Sequence, residues 1–181
     1  MNKLLTLTAA AAVALGAFSA AALAELKVGT KAPEFSLPAY LAGNPFTFDL
    51  KDALKKGPVV VYFFPAAHTS GCNVEAHMFS EAIDQFKALD ATVIGVTAGN
   101  TDQLADFSRE TEHCSGKFAV AADEGAKVAK VYDSLLTMKP GWSNRTSYVI
   151  DQSGSVAAAY SALDPKDHVK QMLAAVKALK K

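Results

Sequence analysis

No Cys-x-x-Cys pair occurs in these 181 residues, and only two cysteines are present, Cys72 and Cys114. That absence removes the usual dithiol motif of disulfide exchange and of structural zinc. The four histidines fall at 68, 77, 113 and 168 without any His-x-x-x-His spacing, so no metal ligand set is legible along the chain. An excess of one charge is also missing, since 18 basic residues balance 18 acidic ones. A balanced chain carries no electrostatic footprint for nucleic acid or anionic lipid. Repeats and linkers are absent, which argues for one domain. Beyond residue 24 no apolar run reaches the ~20 residues that a membrane-spanning helix needs.

The one long apolar run lies at the start. Lys3 precedes an Ala/Leu-rich stretch from Leu4 to Leu23, and Ala22-Leu23-Ala24 has the small-x-small form of a cleavage site. Residues 1–24 are therefore expected to be a signal peptide, and residues 25–181 a single domain exported, in a bacterium, to the periplasm. An uncleaved anchor is the competing reading. The remaining chain has one basic residue fewer than acidic, because Lys3 is lost.

Hydrophobic patterning then places the elements. Short alternations at Phe35–Leu37 and Phe46–Phe48 flank Gly43-Asn44, which predicts a hairpin. Asp49 to Lys56 reads as a short helical turn ended by Gly57-Pro58. Val59 to Phe64 is a continuous apolar run, the pattern of a central strand covered on both faces. Met78, Phe79, Ala82, Ile83, Phe86 and Leu89 recur at helical spacing, with Ser70 as expected N-cap and Cys72 as second helical residue. Thr92 to Thr97 is a second central strand, followed by an amphipathic helix from Asn100 or Thr101 to about Glu112. A strand at Phe118–Ala121 and a helix at Glu124–Tyr132 come next. A hairpin pairs Thr146–Ile150 with Val156–Tyr160, and a last helix from Asp164-Pro165 is expected to bury Val169, Met172, Leu173, Val176 and Leu179. This order predicts an α/β fold, a central mixed sheet flanked by helices with an N-terminal β-hairpin extension.

The chemistry concentrates where the Val59–Phe64 run ends. Pro65-Ala66-Ala67-His68-Thr69-Ser70-Gly71-Cys72 is a short loop that delivers a cysteine to a helix start. Thiolates, not thiols, are the nucleophiles, and unpaired N–H groups at a helix N-terminus favour the charged form. The spacing of Pro65, Thr69 and Cys72 resembles the Pro-x-x-x-Thr-x-x-Cys signature of the peroxiredoxins, the thiol-dependent peroxidases. Glu75, the segment Asn144-Arg145-Thr146-Ser147-Tyr148-Val149-Ile150-Asp151 and the opening Val28-Gly29-Thr30-Lys31-Ala32-Pro33 resemble further motifs of that family. The resemblance covers residues 26 to 180 and is nearest the peroxiredoxin Q and bacterioferritin-comigratory group. It implies a thioredoxin-like fold and reduction of hydrogen peroxide or organic hydroperoxides with no cofactor and no metal.

Residue by residue, the resemblance makes Cys72 the nucleophile and gives the Thr69 hydroxyl contacts with sulfur and peroxide. Pro65 shields the thiolate, Arg145 supplies a cation beside the sulfur, and Glu75 orients Arg145. Bland readings stand beside these: a buried inert cysteine, a turn threonine, a strand-ending proline, a surface arginine, and a glutamate compensating a helix dipole. Asn144-Arg145-Thr146 also fits a glycosylation sequon. His68 is near enough in sequence to tune the field at Cys72.

Cys114 has two readings, a resolving thiol that condenses with the Cys72 sulfenic acid or a structural bystander. Many of the group carry a resolving cysteine five residues after the first, where this chain has His77. A disulfide needs Cα atoms within about 7 Å, so a bridge from a helix end to Cys72 requires local unwinding near Ser115-Gly116. The expected partners are a peroxide and a thioredoxin-like or other dithiol reductant, with the chain a monomer or homodimer. A thioredoxin-like oxidoreductase and a non-enzymatic redox-sensing module are the alternatives. The first expects a second cysteine after Cys72 and a proline where Arg145 stands.

Overall fold

Val59–Phe63 forms the central strand (β3) because each of its side chains has an apolar neighbour on one face or the other. In the computed structural model, which describes residues 25–180, all five are buried. The expected leader, residues 1–24, lies outside the described residues. Val60 and Tyr62 point to the face covered by helix α2 (Ser70–Lys87), through Ala76, Phe79, Ile83 and Phe86. Val59, Val61 and Phe63 point to the opposite face, against Leu50 of α1 (Leu50–Leu54) and Val128, Ala129 and Tyr132 around α4 (Lys127–Val131). The period-two alternation is thus real, but both phases are apolar because both faces are covered.

The remaining strands are β1 (Ser36–Leu41), β2 (Asn44–Asp49), β4 (Thr92–Thr97), β5 (Ala119–Ala122), β6 (Thr146–Ile150) and β7 (Val156–Ser161). They form one seven-stranded sheet in the order β2-β1-β5-β4-β3-β6-β7. β3, β4 and β5 are mutually parallel, whereas β1, β2, β6 and β7 join by antiparallel pairing. The expected N-terminal hairpin is β1–β2, and the expected C-terminal hairpin is β6–β7. Helix α3 (Leu104–Arg109) and helix α5 (His168–Ala178) share the α2 face, where α5 packs on α2, β6 and β7.

Several expected boundaries move, each for a local reason. Thr69, not Ser70, is the N-cap of α2, with extended φ −105° and ψ 146°, so Cys72 is the third helical residue instead of the second. The helix after β4 is shorter than periodicity suggests: a 3-10 turn at Thr101–Gln103 precedes α3, which stops at Arg109. Cys114 therefore lies beyond a helix, in a run of turns, and not at the end of one. The Glu124–Tyr132 helix begins only at Lys127, where the Asp123 carboxylate accepts the N–H groups of Val128 and Ala129. Leu179 was expected in the core but is 40% exposed, because α5 ends at Ala178 and leaves it at the C-cap.

One glycine is dictated by packing in the sheet. Gly95 is the β4 partner of Tyr62, and a Cβ there would lie 2.7 Å from the phenol ring. That ring is already fixed, stacked on Phe79 at 4.4 Å between centroids. Gly95→Ala is expected to destabilise the fold by about 1–3 kcal/mol through overpacking, measured as a lower urea midpoint with an unchanged m-value.

Candidate active site

The Pro65–Cys72 loop leaves the C-terminal end of β3, and the neighbouring parallel strand β4 holds it from the side. Thr97 Oγ1 donates to the Pro65 carbonyl at 3.0 Å, and Asn100 Nδ2 donates to the Ala67 carbonyl at 2.8 Å. Ala66 forms an isolated parallel bridge with Gly99, where a Cβ would come within 2.4 Å of the Pro65 oxygen. C-terminal ends of parallel strands are where open α/β sheets place their sites, because loop and helix N-terminus meet there. The backbone at His68 is left-handed, with φ +58°. A non-glycine residue adopts that conformation only when surrounding contacts over-determine it.

Cys72 ends this loop with its sulfur in the first turn of α2 and 1% of its surface exposed. The Thr69 hydroxyl does not cap the helix. It donates instead to the Ala66 carbonyl at 3.0 Å, which leaves its oxygen able to accept. The N–H groups of the first helical turn thus remain for solvent or a ligand. Pro65 and Thr69 are half-buried at the loop's two ends.

Arg145 comes from far along the chain, yet the sheet register brings it here. β6 runs antiparallel to β3 with Thr146 opposite Phe63, so the residue before Thr146 sits beside the loop that follows Phe63. The guanidinium is 4% exposed and uses all three nitrogens. Nη2 donates to Cys72 Sγ at 3.5 Å, Nε donates to the Leu163 carbonyl at 2.8 Å, and Nη1 pairs with Glu75 Oε2. Glu75 is one turn after Cys72 on α2, and is fully buried. Burial pushes its carboxyl up to about 8, against the pull of the Arg145 charge. The structure brings Cys72, Arg145 and Glu75 into one contact unit. Thr69 and Pro65 frame that unit from the loop.

Three contributors escaped the sequence. Gly71 has no side chain because Arg145 occupies the space: a Cβ there would lie 3.0 Å from Nη2. The Leu163 carbonyl has no sequence signature at all. His168, the first residue of α5, packs behind Glu75, with Nδ1 3.6 Å from Oε1, an atom without a hydrogen-bond partner. Its Nε2–H donates to the Ala162 carbonyl at 2.9 Å and Nδ1 accepts from Ser147 Oγ at 2.8 Å. That pattern suits a neutral ring, and burial holds its pKa down to about 4, with the Arg145 charge acting in the same direction.

Cys114 is fully buried in the same core cluster as Cys72, and both thiols are free. Burial pushes the Cys114 thiol well above the ordinary cysteine range. The turns that carry it are tied down. Ser115 and Gly116 are left-handed at φ +54° and +64°, Ser115 N donates to the Glu110 carbonyl at 2.9 Å, and Lys117 Nζ donates to the Ser80 carbonyl at 3.1 Å.

A protein-family model, the AhpC/TSA family, matches residues 28–159. The chain belongs to the AhpC/TSA family. Chloroplastic peroxiredoxin Q of Sedum lineare is 31% identical over 161 residues, 87% of this chain and 81% of that protein. A peroxiredoxin bcp of Helicobacter pylori (strain J99) is 30% identical over 154 residues, 82% of this chain and 97% of that one. Among solved structures, the peroxidoxin BcpB of Mycobacterium tuberculosis superposes with a TM-score of 0.75 at 26% identity, covering 86% of this chain and 99% of its own. The chain is a peroxiredoxin of the Q and bcp group with a thioredoxin-like fold, and as such a thiol-dependent peroxidase.

Two tests follow from this peroxiredoxin's geometry. Gly71→Ala forces the Arg145 fork away from the sulfur, so the rate of Cys72 oxidation by peroxide should fall roughly tenfold or more if a charge-assisted hydrogen bond is lost, with the circular dichroism spectrum kept. His168→Gln should flatten the acid side of the stability curve. Folded His168 titrates near 4 against an ordinary 6.5, so between those values the native state binds fewer protons than the unfolded chain. Stability is lost as pH falls through that window. Glu75, held high, contributes in the opposite sense, so the difference in urea midpoint between wild type and variant isolates the histidine.

Proposed function

We propose that Cys72 is the peroxidatic cysteine of an exported enzyme that reduces hydrogen peroxide and small organic hydroperoxides. The observation that carries this assignment is the Arg145 Nη2 contact with Cys72 Sγ in a buried site at a helix start. The thiolate sulfur attacks one peroxide oxygen, an S–O bond forms, the O–O bond breaks, and the departing hydroxide or alkoxide takes a proton. Arg145 serves as donor to the charge that spreads over the breaking bond. Glu75 is a positioning residue that holds the guanidinium, and the Thr69 oxygen accepts a hydrogen bond from the peroxide. Pro65 keeps water from the sulfur. An apolar cleft lined by Phe46, Phe48, Ile83 and Phe118 among others does not include Cys72. A substrate whose reacting group is two oxygen atoms needs no such volume.

Cys114 is the resolving thiol in this reading. It condenses with the Cys72 sulfenic acid, forming the disulfide and releasing water, after the 110–117 turns open. A thioredoxin-like or other dithiol then restores both thiols. The N-terminal residues 1–24 support export to a periplasmic compartment, and the chain works as a monomer or homodimer. A one-cysteine cycle is the second reading, and the tied-down turns around buried Cys114 favour it.

One equivalent of hydrogen peroxide followed by intact mass and non-reducing peptide mapping tests the assignment. A Cys72–Cys114 bridge within seconds is expected in the wild type, no oxidation product in Cys72→Ser, and sulfenic or sulfinic acid on Cys72 in Cys114→Ser. Stable sulfenic acid in the wild type would demote Cys114. Unreacted Cys72 would overturn the assignment of the nucleophile.

A further inference from the structure

Two histidines that no step above requires meet at one carboxylate beside the Cys72 loop. His68 Nε2 lies 2.8 Å and His113 Nδ1 2.9 Å from the same oxygen, Glu110 Oε2. One ligand-type atom from each residue falls within 4.8 Å of the others. His113 is buried, and its Nδ1 is without a hydrogen-bond partner although Glu110 Oε2 lies 2.9 Å away. His68 Nδ1 lies 2.7 Å from Gln103 Oε1, an acceptor, so the ring hydrogen belongs on Nδ1. In the neutral ring this leaves the Nε2 lone pair aimed at a carboxylate oxygen. Lone pairs that converge in this way call for a positive charge between them.

We propose that His68, Glu110 and His113 bind a divalent first-row transition-metal ion, with zinc the best match to the donor set. Two imidazoles and one carboxylate are the ligands of open zinc sites, which keep a fourth position for water. Gln103 occupies the outer-shell place, accepting the far N–H of a ligating histidine and fixing its tautomer. With bonds of ~2.0–2.1 Å to a tetrahedral ion, neighbouring ligand atoms stand about 3.3 Å apart. The 2.8 and 2.9 Å separations from Glu110 open to that spacing with about 0.5 Å of side-chain movement, and the two histidine nitrogens, within 4.8 Å of each other, close onto the ion. The left-handed backbone at His68 is consistent with a residue placed by its side-chain partners.

Position gives the site a consequence. His68 is four residues before Cys72 and His113 is adjacent to Cys114. A bound ion cross-links the peroxidatic loop to the turns that must open for a Cys72–Cys114 bridge. Metal occupancy then slows the bridge, and bridging releases the metal. This consequence rests on the resolving role of Cys114, whereas the metal site itself does not.

Zinc chloride titrated calorimetrically into the reduced full chain tests the site directly, with cobalt(II) as spectroscopic probe. One-to-one binding is expected, retained in Cys72→Ser and in Cys114→Ser. His68→Gln and His113→Gln should each weaken it more than tenfold, and Gln103→Ala should weaken it by roughly 10-fold or more as an outer-shell loss. The cobalt complex should show d–d bands without thiolate charge transfer, and zinc should raise the Tm of the wild type but not of the histidine variants. Absence of saturable binding would overturn the proposal and leave the three groups held by protons alone. Binding that vanishes in either cysteine variant but survives in both histidine variants would also overturn it. Neither result depends on peroxide turnover, so loss of the metal site and failure of the peroxidase assignment remain separable.

Discussion

The Arg145 guanidinium is buried with only the Glu75 carboxyl group, a sulfur and a carbonyl to replace its water. Removing a partner from a buried charge costs several kcal/mol, far more than the pair contributes at a surface. The partners come from two separate parts of the fold. Glu75 and Cys72 come from α2, and Leu163 precedes α5. The arginine itself precedes β6, and its position depends on the antiparallel register with β3. A shift of that register by one residue would send the side chain to the other face of the sheet. The register, the first turn of α2 and the approach to α5 are therefore mutually constrained by one fork of donors. Gly71 belongs to the same constraint, because its missing side chain is the space the fork passes through.

The sheet supplies rigidity and the loop supplies chemistry, and the two are joined by few but specific contacts. Thr97, Gly99 and Asn100 hold the Pro65–Ala67 backbone against the end of β4. On the other side of the loop, His68 reaches Gln103 and Glu110 in the segment that leads to Cys114. The Pro65–Cys72 loop thus touches the neighbourhood of the second cysteine through side chains, even though both thiols are buried and unbridged. Any event that moves one segment is felt by the other. Opening of the 110–117 turns and occupancy at the histidine pair are two such events.

How much of this was legible in the chain differs by element. Continuous apolar runs at β3 and β4 declare central strands, since only strands covered on both faces tolerate them. The Pro65, Thr69, Cys72 spacing and the distant Arg145 marked the site through family resemblance, and the structure brings those residues together. Boundaries were less legible. Periodicity extends through Glu112, yet α3 stops at Arg109, because hydrophobic spacing does not reveal where turns take over. Ser70 carries the side chain expected of an N-cap, but the backbone dihedrals place the cap one residue earlier, at Thr69. Histidines scattered at 68 and 113 gave no ligand spacing, although tertiary folding brings both to Glu110.

The amino-acid sequence by itself determined the class of fold and the helix-start setting of Cys72, since these depend on local pattern and short spacing. Tertiary structure alone decided the company that cysteine keeps. The Arg145 fork depends on strand register, the Leu163 carbonyl on the path between β7 and α5, and the place of His168 behind Glu75 on how α5 packs. The histidine pair at Glu110 depends on the loop after β3 meeting the turns after α3. Contacts of this kind are long-range and made by ordinary residue types. Nothing in a linear sequence encodes them except the single low-energy packing in which most buried charges and polar groups find partners.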